Sequence, residues 1–485
     1  MVWAYPDRRV KIVTTLGPSV SGQERLRGLL EAGADVVRIN ASHGTEEGWA
    51  QLISDVRTVS AELGRRVPIL FDLQGLKIRT GAVPNSEAVP VARGATLRIV
   101  PRQVESSTEV IGIGFPDLLK VIEAGSRLLI SDGLIELLVE EVNEDHARCI
   151  VSRGGMLNGR QGVTLPGAPI KGGSVTEQDR ADIAFAAKHG VDFLGLSFVN
   201  DASDVVLARK TAAEHGAAPG LIAKIESGNA LENVEEIARE SDGLMVARGD
   251  LGVQLPPERV PRAQKRIIAV ANRMGIPVIT ATQMLESMIT QPVATRAETS
   301  DIANAVWDGT DAVMLSAESA TGKYPYEAVQ TMDRIIKEIE RDGPIRSESS
   351  QLPLPHHPDE SLNFADAIAR AGSAMADASE LAKLIVVFTY GGAAARRMAK
   401  YRPSQPIVAV CSQESIATRL NLVWGVRTLV LPLEQEINQM FDRAGEAVIE
   451  AGLGTGSDYA LLVGSLPMVE RSGTTNLLHV RPLTD

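Results

Sequence analysis

The sequence predicts a three-part α/β chain: a (β/α)8 TIM barrel, an all-β segment inserted into it, and a C-terminal α/β unit. Three observations carry this. Eight short aliphatic runs alternate with amphipathic stretches, as buried parallel strands covered by helices do. Between the third and fourth runs the texture changes to closely spaced strand-like segments. Further on, RSESSQLPLPHHPDESLN (346–363), with three prolines among polar residues, breaks the pattern.

The barrel strands are expected at KIVTTLG (11–17), VVRIN (36–40), PILFDLQ (68–74), FLGLSF (193–198), GLIAKIE (220–226), GLMVARG (243–249), PVITAT (277–282) and AVMLSA (312–317). Thr176-Glu177-Gln178-Asp179 reads as a helix capping box, and Gly190 falls just past the last apolar turn of that helix. An open doubly wound sheet is the competing topology, but no glycine-rich nucleotide fingerprint follows the first run. In the insertion, ATLRIV, RLLIS, LIELLVEEV and ARCIVS read as strands, and Ser131-Asp132-Gly133 as a tight turn. KLIVVFT, PIVAVC, RTLVL, YALLVG and NLLHV alternate with helices in the last unit. The expected boundaries are 1–75 and 172–345 for the barrel, 76–171 for the insertion, 346–362 for a linker and 363–485 for the C-terminal unit.

Composition narrows the function. Of 485 residues, 44% are hydrophobic and 23% charged, with a net charge of −12; such a balance opposes general affinity for nucleic acid or anionic membrane. An anionic ligand must therefore be drawn by local cations or a metal. Two cysteines, Cys149 and Cys411, make no disulfide framework and fit a reducing compartment. No signal pattern and no run long enough to cross a membrane are present. The expectation is a cytoplasmic enzyme.

A TIM barrel keeps its chemistry at the C-terminal strand ends. Strand two ends in Arg38, Asn40, Ser42 and His43, strand three in Asp72, Lys77 and Arg79, and strand five in Lys224 and Glu226. Strand six ends in Arg248-Gly249-Asp250 and strand seven in Thr282. Glu226 and Asp250 are hard oxygen donors suited to Mg2+, with Mn2+ as an alternative; their bland alternative is pairing with Lys224 and Arg248. Arg38, Arg79 and Lys224 are the cations that phosphoryl transfer requires for positioning and charge neutralisation. Gly249 allows an anion to approach backbone N–H groups. Thr282 is either a proton relay or a plain strand-end hydroxyl. In FDLQGLKIRTG (71–81), Lys77 and Arg79 share one face if the chain is extended.

VKIVTTLGPS, VVRINASHG, LIAKIES, GLMVARGDLGV, ATQMLESM and TRAETSDIANAVWDGTDAVMLS, in this order, resemble the pyruvate kinase family, as do YRPSQPIVAV and SGTTNLLHV further on. The resemblance implies phosphoryl transfer from phosphoenolpyruvate to ADP, a lid formed by the insertion, and a homotetramer. It implies that Lys224 stabilises the moving phosphoryl group and that Glu226 and Asp250 hold magnesium. Substrate contacts would come from Arg38, Lys224, Thr282 and the backbone of Gly249 and Asp250, with Asn40, His43 and Arg79 near the nucleotide.

Family members that bind potassium hold it with Asn, Ser, Asp and Thr, and carry Glu where this chain has Lys77. Here Asn40, Ser42 and Asp72 remain, but Leu73 replaces the threonine. Leu73, Gln74 and Lys77 match the version of the family that dispenses with the ion. Catalysis without potassium is expected, with the Lys77 ammonium as its replacement and as a fixed partner for Asp72. Departures from the family pattern are Leu76 at the lid hinge, Gln161, Thr164 and Lys171 toward the nucleotide, and Gln254, read as remote from the chemistry. The loop FTYGGAAARR has Thr389 as its only hydroxyl besides Tyr390, so weak or absent activation by fructose bisphosphate is expected. Two other readings stand beside these: a barrel aldolase or lyase using the same metal, and a regulatory subunit that binds substrate without transfer.

Overall fold

The computed structural model of the chain describes residues 8–168, 175–341, 343, 360–379, 381–432, 434, 436–466 and 475–484. Eight strands form its centre: β1 Lys11–Thr15, β2 Val36–Asn40, β3 Ile69–Asp72, β4 Phe193–Leu196, β5 Gly220–Ile225, β6 Gly243–Ala247, β7 Val278–Ala281 and β8 Ala312–Leu315. They close in the order β1-β8-β7-β6-β5-β4-β3-β2, each parallel to its neighbours. Closure excludes the open doubly wound alternative. Most strands stop short of their apolar runs because the chain turns at the mouth, where Phe198 and Thr282 adopt φ of 54° and 69°.

Alternation of side chains across each strand makes two cores. Val13, Val36, Leu70, Phe193, Ile222 and Met245 meet inside the barrel. Ile12, Val37, Ile39, Leu221 and Val246 face outward under the helices. Leu422 of the C-terminal unit joins the interior cluster. The capping box at Thr176 and Asp179 is present, and two more pair Asp201 with Asp204 and Thr295 with Glu298.

The insertion builds a six-stranded sheet and a two-stranded one over its own core of Ile99, Leu128, Leu137 and Cys149. Its four long strands fall where expected. Val89–Val91, Val110–Gly112, Gly155–Leu157 and Val163–Thr164 were not expected, since two or three residues are too few to show a period of two. The unit is all-β apart from one helical turn at Leu118–Val121.

All five expected C-terminal strands share one sheet, four of them parallel and the last, Leu477–Pro482, antiparallel at an edge. Helix Glu360–Ala378 begins inside the expected linker, whose residues 346–359 lie outside the described ones, as do Lys171 and residues 472–474. Arg402 Nη1 reaches Asp311 Oδ1 at 3.1 Å and Lys11 Nζ donates to the Val426 carbonyl at 3.0 Å, joining this unit to the barrel. Among the described residues no helix is long and apolar enough to cross a membrane.

Candidate active site

The interior face of four strands switches from apolar to polar as it reaches the mouth. By strand parity, Val36 leads to Arg38 and Asn40, and Leu70 to Asp72. Phe193 leads to Gly195 and Ser197, and Ile222 to Lys224 and Glu226. Registry places Asp72 between Asn40 on β2 and Gly195 on β4.

Lys224 is the hub. Its ammonium lies 2.9 Å from Glu226 Oε1 and 3.3 Å from Asp72 Oδ1, and donates to Ser197 Oγ at 2.7 Å. Arg38 Nε donates to Asp72 Oδ2 at 2.7 Å and Nη1 to Thr15 Oγ1 at 3.0 Å. Glu226 Oε2 accepts the Phe198 N–H at 2.6 Å.

Burial alone would discharge these groups, and the ion pairs decide which stay charged. Burial opposes the charge on Lys224, but Asp72 and Glu226 outweigh it and raise its pKa. Burial likewise opposes Asp72, but Lys224 and Arg38 outweigh it and hold the carboxyl below its usual range. Glu226 goes the other way: burial, assisted by repulsion from Asp250, pushes it up to about 7 against the pull of Lys224. Burial also raises Asp250, with repulsion from Asp132 and Asp72. Asp250 is an exposed residue at the rim, whereas Glu226 is 1% exposed on the floor. Two carboxyls that resist ionisation and repel each other suit a divalent cation, whose charge would favour both anions.

The expected site residues are not all gathered. Arg38 and Lys224 converge on Asp72, whereas Arg79 stands at the lid stem, exposed, and donates to the Arg160 carbonyl at 3.3 Å. Lys77 is not the partner of Asp72, whose ion pairs are with Arg38 and Lys224. Instead Lys77 Nζ donates to Ser42 Oγ at 2.6 Å. β3 ends at Asp72 and the chain then turns through Gly75 at φ 66°, so Lys77 and Arg79 leave the β3 ladder together; both line the space between lid and barrel, but on different hydrogen-bond partners. Burial, then repulsion from Arg79 and Lys224, lowers the Lys77 pKa. Asn40 Oδ1 accepts the Ser42 N–H at 3.1 Å, and Leu73 is 2% exposed.

Arg248 does not pair with Asp250; it grips Asp301 at 2.6 and 2.7 Å and the Thr282 carbonyl. The Gly249 N–H, expected to be free for a ligand, donates to Thr282 Oγ1 at 2.8 Å, and Thr282 Oγ1 donates to the Ala281 carbonyl at 2.6 Å. A Cβ at Gly249 would meet Thr282 only at ordinary contact distance, 3.6 to 3.8 Å, so packing within the protein does not demand this glycine.

Two cavities flank the hub. One, of about 270 Å3, lies between lid and barrel and is lined by Lys77, Arg79, Asp132, Thr164, Asp250 and Gln254 among others. Gln254 therefore faces the site rather than lying remote from it. Gln161 keeps to the lid, its N–H on Thr80 Oγ1 at 3.0 Å. The other, of about 900 Å3, opens over Arg38, Asn40, His43, Pro18 and Trp49.

Sequence reading missed Ser197, Gly195 and Asp132. Ser197 lay in the expected strand four, and its parity with Phe193 would have placed it inside. A Cβ on Gly195 would stand 2.8 Å from Asp72 Oδ1, a constraint that only the β3–β4 registry creates. Asp132, read as a turn residue, reaches the mouth from the lid. Phe198, Thr282 and Gln283 hold φ of 54°, 69° and 55°, and such strain in non-glycine residues concentrates at functional sites.

Cations and acid ligands gathered at a barrel mouth beneath a lid suit the handling of a transferring phosphoryl group, which places the chain among barrel phosphotransferases. Residues 7–329 match the family model described as pyruvate kinase, barrel domain, and residues 366–481 match pyruvate kinase, alpha/beta domain. The chain belongs to the pyruvate kinase family. It is 41% identical to a pyruvate kinase of Geobacillus stearothermophilus, over 99% of this chain and 81% of that protein. With a pyruvate kinase of Agrobacterium vitis it shares 40% identity, over 97% and 96% of the two chains. The crystal structure of a pyruvate kinase from Cryptosporidium parvum superposes with a TM-score of 0.90 at 35% identity, covering 98% of this chain and 96% of that one. The chain is thus a phosphotransferase that moves the phosphoryl group of phosphoenolpyruvate to ADP, with a divalent metal, giving pyruvate and ATP.

Proposed function

We propose that Lys224 is the group on which the transfer turns, and that Mg2+, or Mn2+ in its place, is held by Glu226 and Asp250. The observation that carries this is the Lys224 ammonium, fixed among Asp72, Glu226 and Ser197 at the mouth. Against burial, Asp72 and Glu226 raise its pKa, which favours the charged form. When bound, the metal supplies Lewis-acid charge to the substrate's carboxylate and enol oxygens.

The chain's own residues do the rest. Substrate sits over Lys224 and Arg38, with its carboxylate against the backbone of Gly249 and Asp250, which requires the Gly249 N–H to leave Thr282. The nucleotide enters the cavity over Asn40 and His43, with Arg79 reaching its phosphates from the lid stem. An oxygen of the ADP β-phosphate forms a bond to phosphorus as the bond to the enol oxygen breaks. Lys224 and Arg38 neutralise charge on the moving group, and the lid excludes water from it. The enolate then takes a proton at its methylene carbon, beside Thr282, whose hydroxyl relays one from solvent readmitted after the transfer.

We further propose that the Lys77 ammonium supplies the single charge potassium gives other members, so no monovalent ion is required. Barrel 1–75 and 172–345, lid 76–171, linker 346–362 and C-terminal unit 363–485 are the proposed domains, in a cytoplasmic homotetramer. A lactate dehydrogenase-coupled assay with ADP, phosphoenolpyruvate and magnesium tests the reading. Turnover that disappears with EDTA and persists without potassium is expected; absence of any ADP-dependent pyruvate would end it.

A further inference from the structure

The lid leaves the barrel at Gly75 and Leu76, and the chain is back in the barrel by Val175. At the first place the backbone presses on the catalytic floor: a Cβ on Gly75 would stand 2.9 Å from Ser197 Cβ and 3.1 Å from the Ser197 carbonyl oxygen. Ser197 in turn donates to the Leu73 carbonyl at 2.8 Å and accepts from Lys224 Nζ at 2.7 Å. A displacement of Gly75 therefore passes to the seat of the Lys224 ammonium.

One side chain holds both ends of this arrangement. Asp179 is 0% exposed. Its Oδ2 accepts the Thr176 N–H at 2.9 Å and the Thr176 hydroxyl at 2.6 Å, which is an ordinary helix cap. Its Oδ1 accepts the Gly75 N–H at 3.0 Å, 104 residues away in sequence. A cap needs only the first set. The second joins the departing chain to the returning one through a single buried carboxylate.

We propose that Asp179 is a positioning residue for phosphoryl transfer, pinning the departing chain at Gly75 and the returning chain at Thr176 so that both crossings of the lid move as one. Pinned in this way, Gly75 keeps Ser197 beneath Lys224. The proposal rests on the lid-and-barrel reading above, and the following measurements separate the two.

In Asp179→Asn the amide offers one acceptor oxygen and an NH2 group where two backbone N–H groups and the Thr176 hydroxyl, on opposite oxygens, need acceptors. kcat is expected to fall by about tenfold or more, because small misplacements of a reacting group are costly. The KM for phosphoenolpyruvate should stay within about threefold, because Arg38 and the Gly249–Asp250 backbone, which also hold it, are untouched and a small shift of Lys224 is felt chiefly in the transition state. Thr176→Ala removes the cap hydroxyl but keeps the Gly75 bond; it should lower the apparent Tm and leave kcat within about twofold. Spin labels on Leu134→Cys in the lid and Val206→Cys on a barrel helix, both exposed sites, should give a broader distance distribution with Asp179→Asn than with Thr176→Ala. Both the kcat fall and the broadening are required, and an unchanged value of either overturns the proposal. If Asp179→Asn does not fold, amide exchange in the unmodified protein decides: a protected Gly75 N–H supports the clamp, and exchange as fast as an exposed loop refutes it. Spin-label distances and amide exchange do not depend on turnover, so loss of the clamp is distinguishable from loss of the activity.

Discussion

Replacing Lys224 by Met tests the centre of the mechanism. Its side chain is 12% exposed, and its ammonium faces the carboxylates of two side chains that are each 1% exposed, at 2.9 and 3.3 Å. At an effective dielectric of about 20, charges at those distances attract by about 6 and about 5 kcal/mol. Desolvation cancels most of that, and removing one partner from a buried cluster costs about 3–5 kcal/mol of stability. The two carboxylates should respond differently. Asp72 retains Arg38 and stays ionised. Glu226 loses its cation, keeps only the Phe198 N–H, and must rise further above about 7. In the variant, metal binding at about pH 7 should therefore weaken and recover as pH rises, because a bound metal requires the anion. The charge on the moving phosphoryl group also loses its stabiliser, and kcat should fall by about a thousandfold or more. Coupled pyruvate release measures kcat, and Mn2+ titration by electron paramagnetic resonance at two pH values measures the metal. A variant retaining more than about a tenth of kcat, or one with pH-independent Mn2+ affinity, would refute the reasoning.

Three further outcomes are expected. Turnover in tetramethylammonium buffer should match that in potassium within about twofold, and Lys77→Glu, which removes the ammonium on Ser42, should create a requirement for potassium; a steep requirement in the unmodified enzyme sinks this. Lys11 is 6% exposed and burial lowers its pKa to about 8, against attraction from Asp35. Since the unfolded chain holds that proton more tightly, this residue's contribution to stability is present above its ordinary pKa and lost as pH falls through about 8. Lys11→Met should then stabilise the protein by about 2 kcal/mol at pH 7, net of the lost bond to the Val426 carbonyl. The gain in apparent Tm should vanish toward pH 10.5, and a gain that does not change with pH contradicts this. Gly195→Ala places a Cβ 2.8 Å from Asp72 Oδ1, which should cost about 1–3 kcal/mol and pull Asp72 off Lys224. Normal kinetics and melting in that variant would show that the registry is not so tight.

Much of the site was legible because the pleat of a strand is legible. Ile222, Lys224 and Glu226 repeat every second residue, so a run that is apolar inside the barrel must turn polar where it meets solvent. The same parity pointed to Ser197, which was overlooked because a serine in an aliphatic run carries no charge to draw notice. Past the last ladder bond the parity rule has no force. Lys77 and Arg79 still line one cavity, but past Gly75 their partners are Ser42 and the Arg160 carbonyl at the lid stem, which strand parity does not give.

Strand alternation, capping residues and the break at 346–363 by themselves pointed to eight strand–helix units, an inserted β unit and an α/β end, because these depend on local periodicity; closure of the eight strands into a barrel was decided by their pairing. Which cation meets which carboxylate was decided only by the tertiary structure. Asp72 faces Arg38 and Lys224 rather than Lys77, Arg248 takes Asp301, and Asp179 joins segments 104 residues apart. The physical reason is that ion pairs between strands are set by barrel registry and by the turns at its mouth. Neither is written in the spacing along one chain segment.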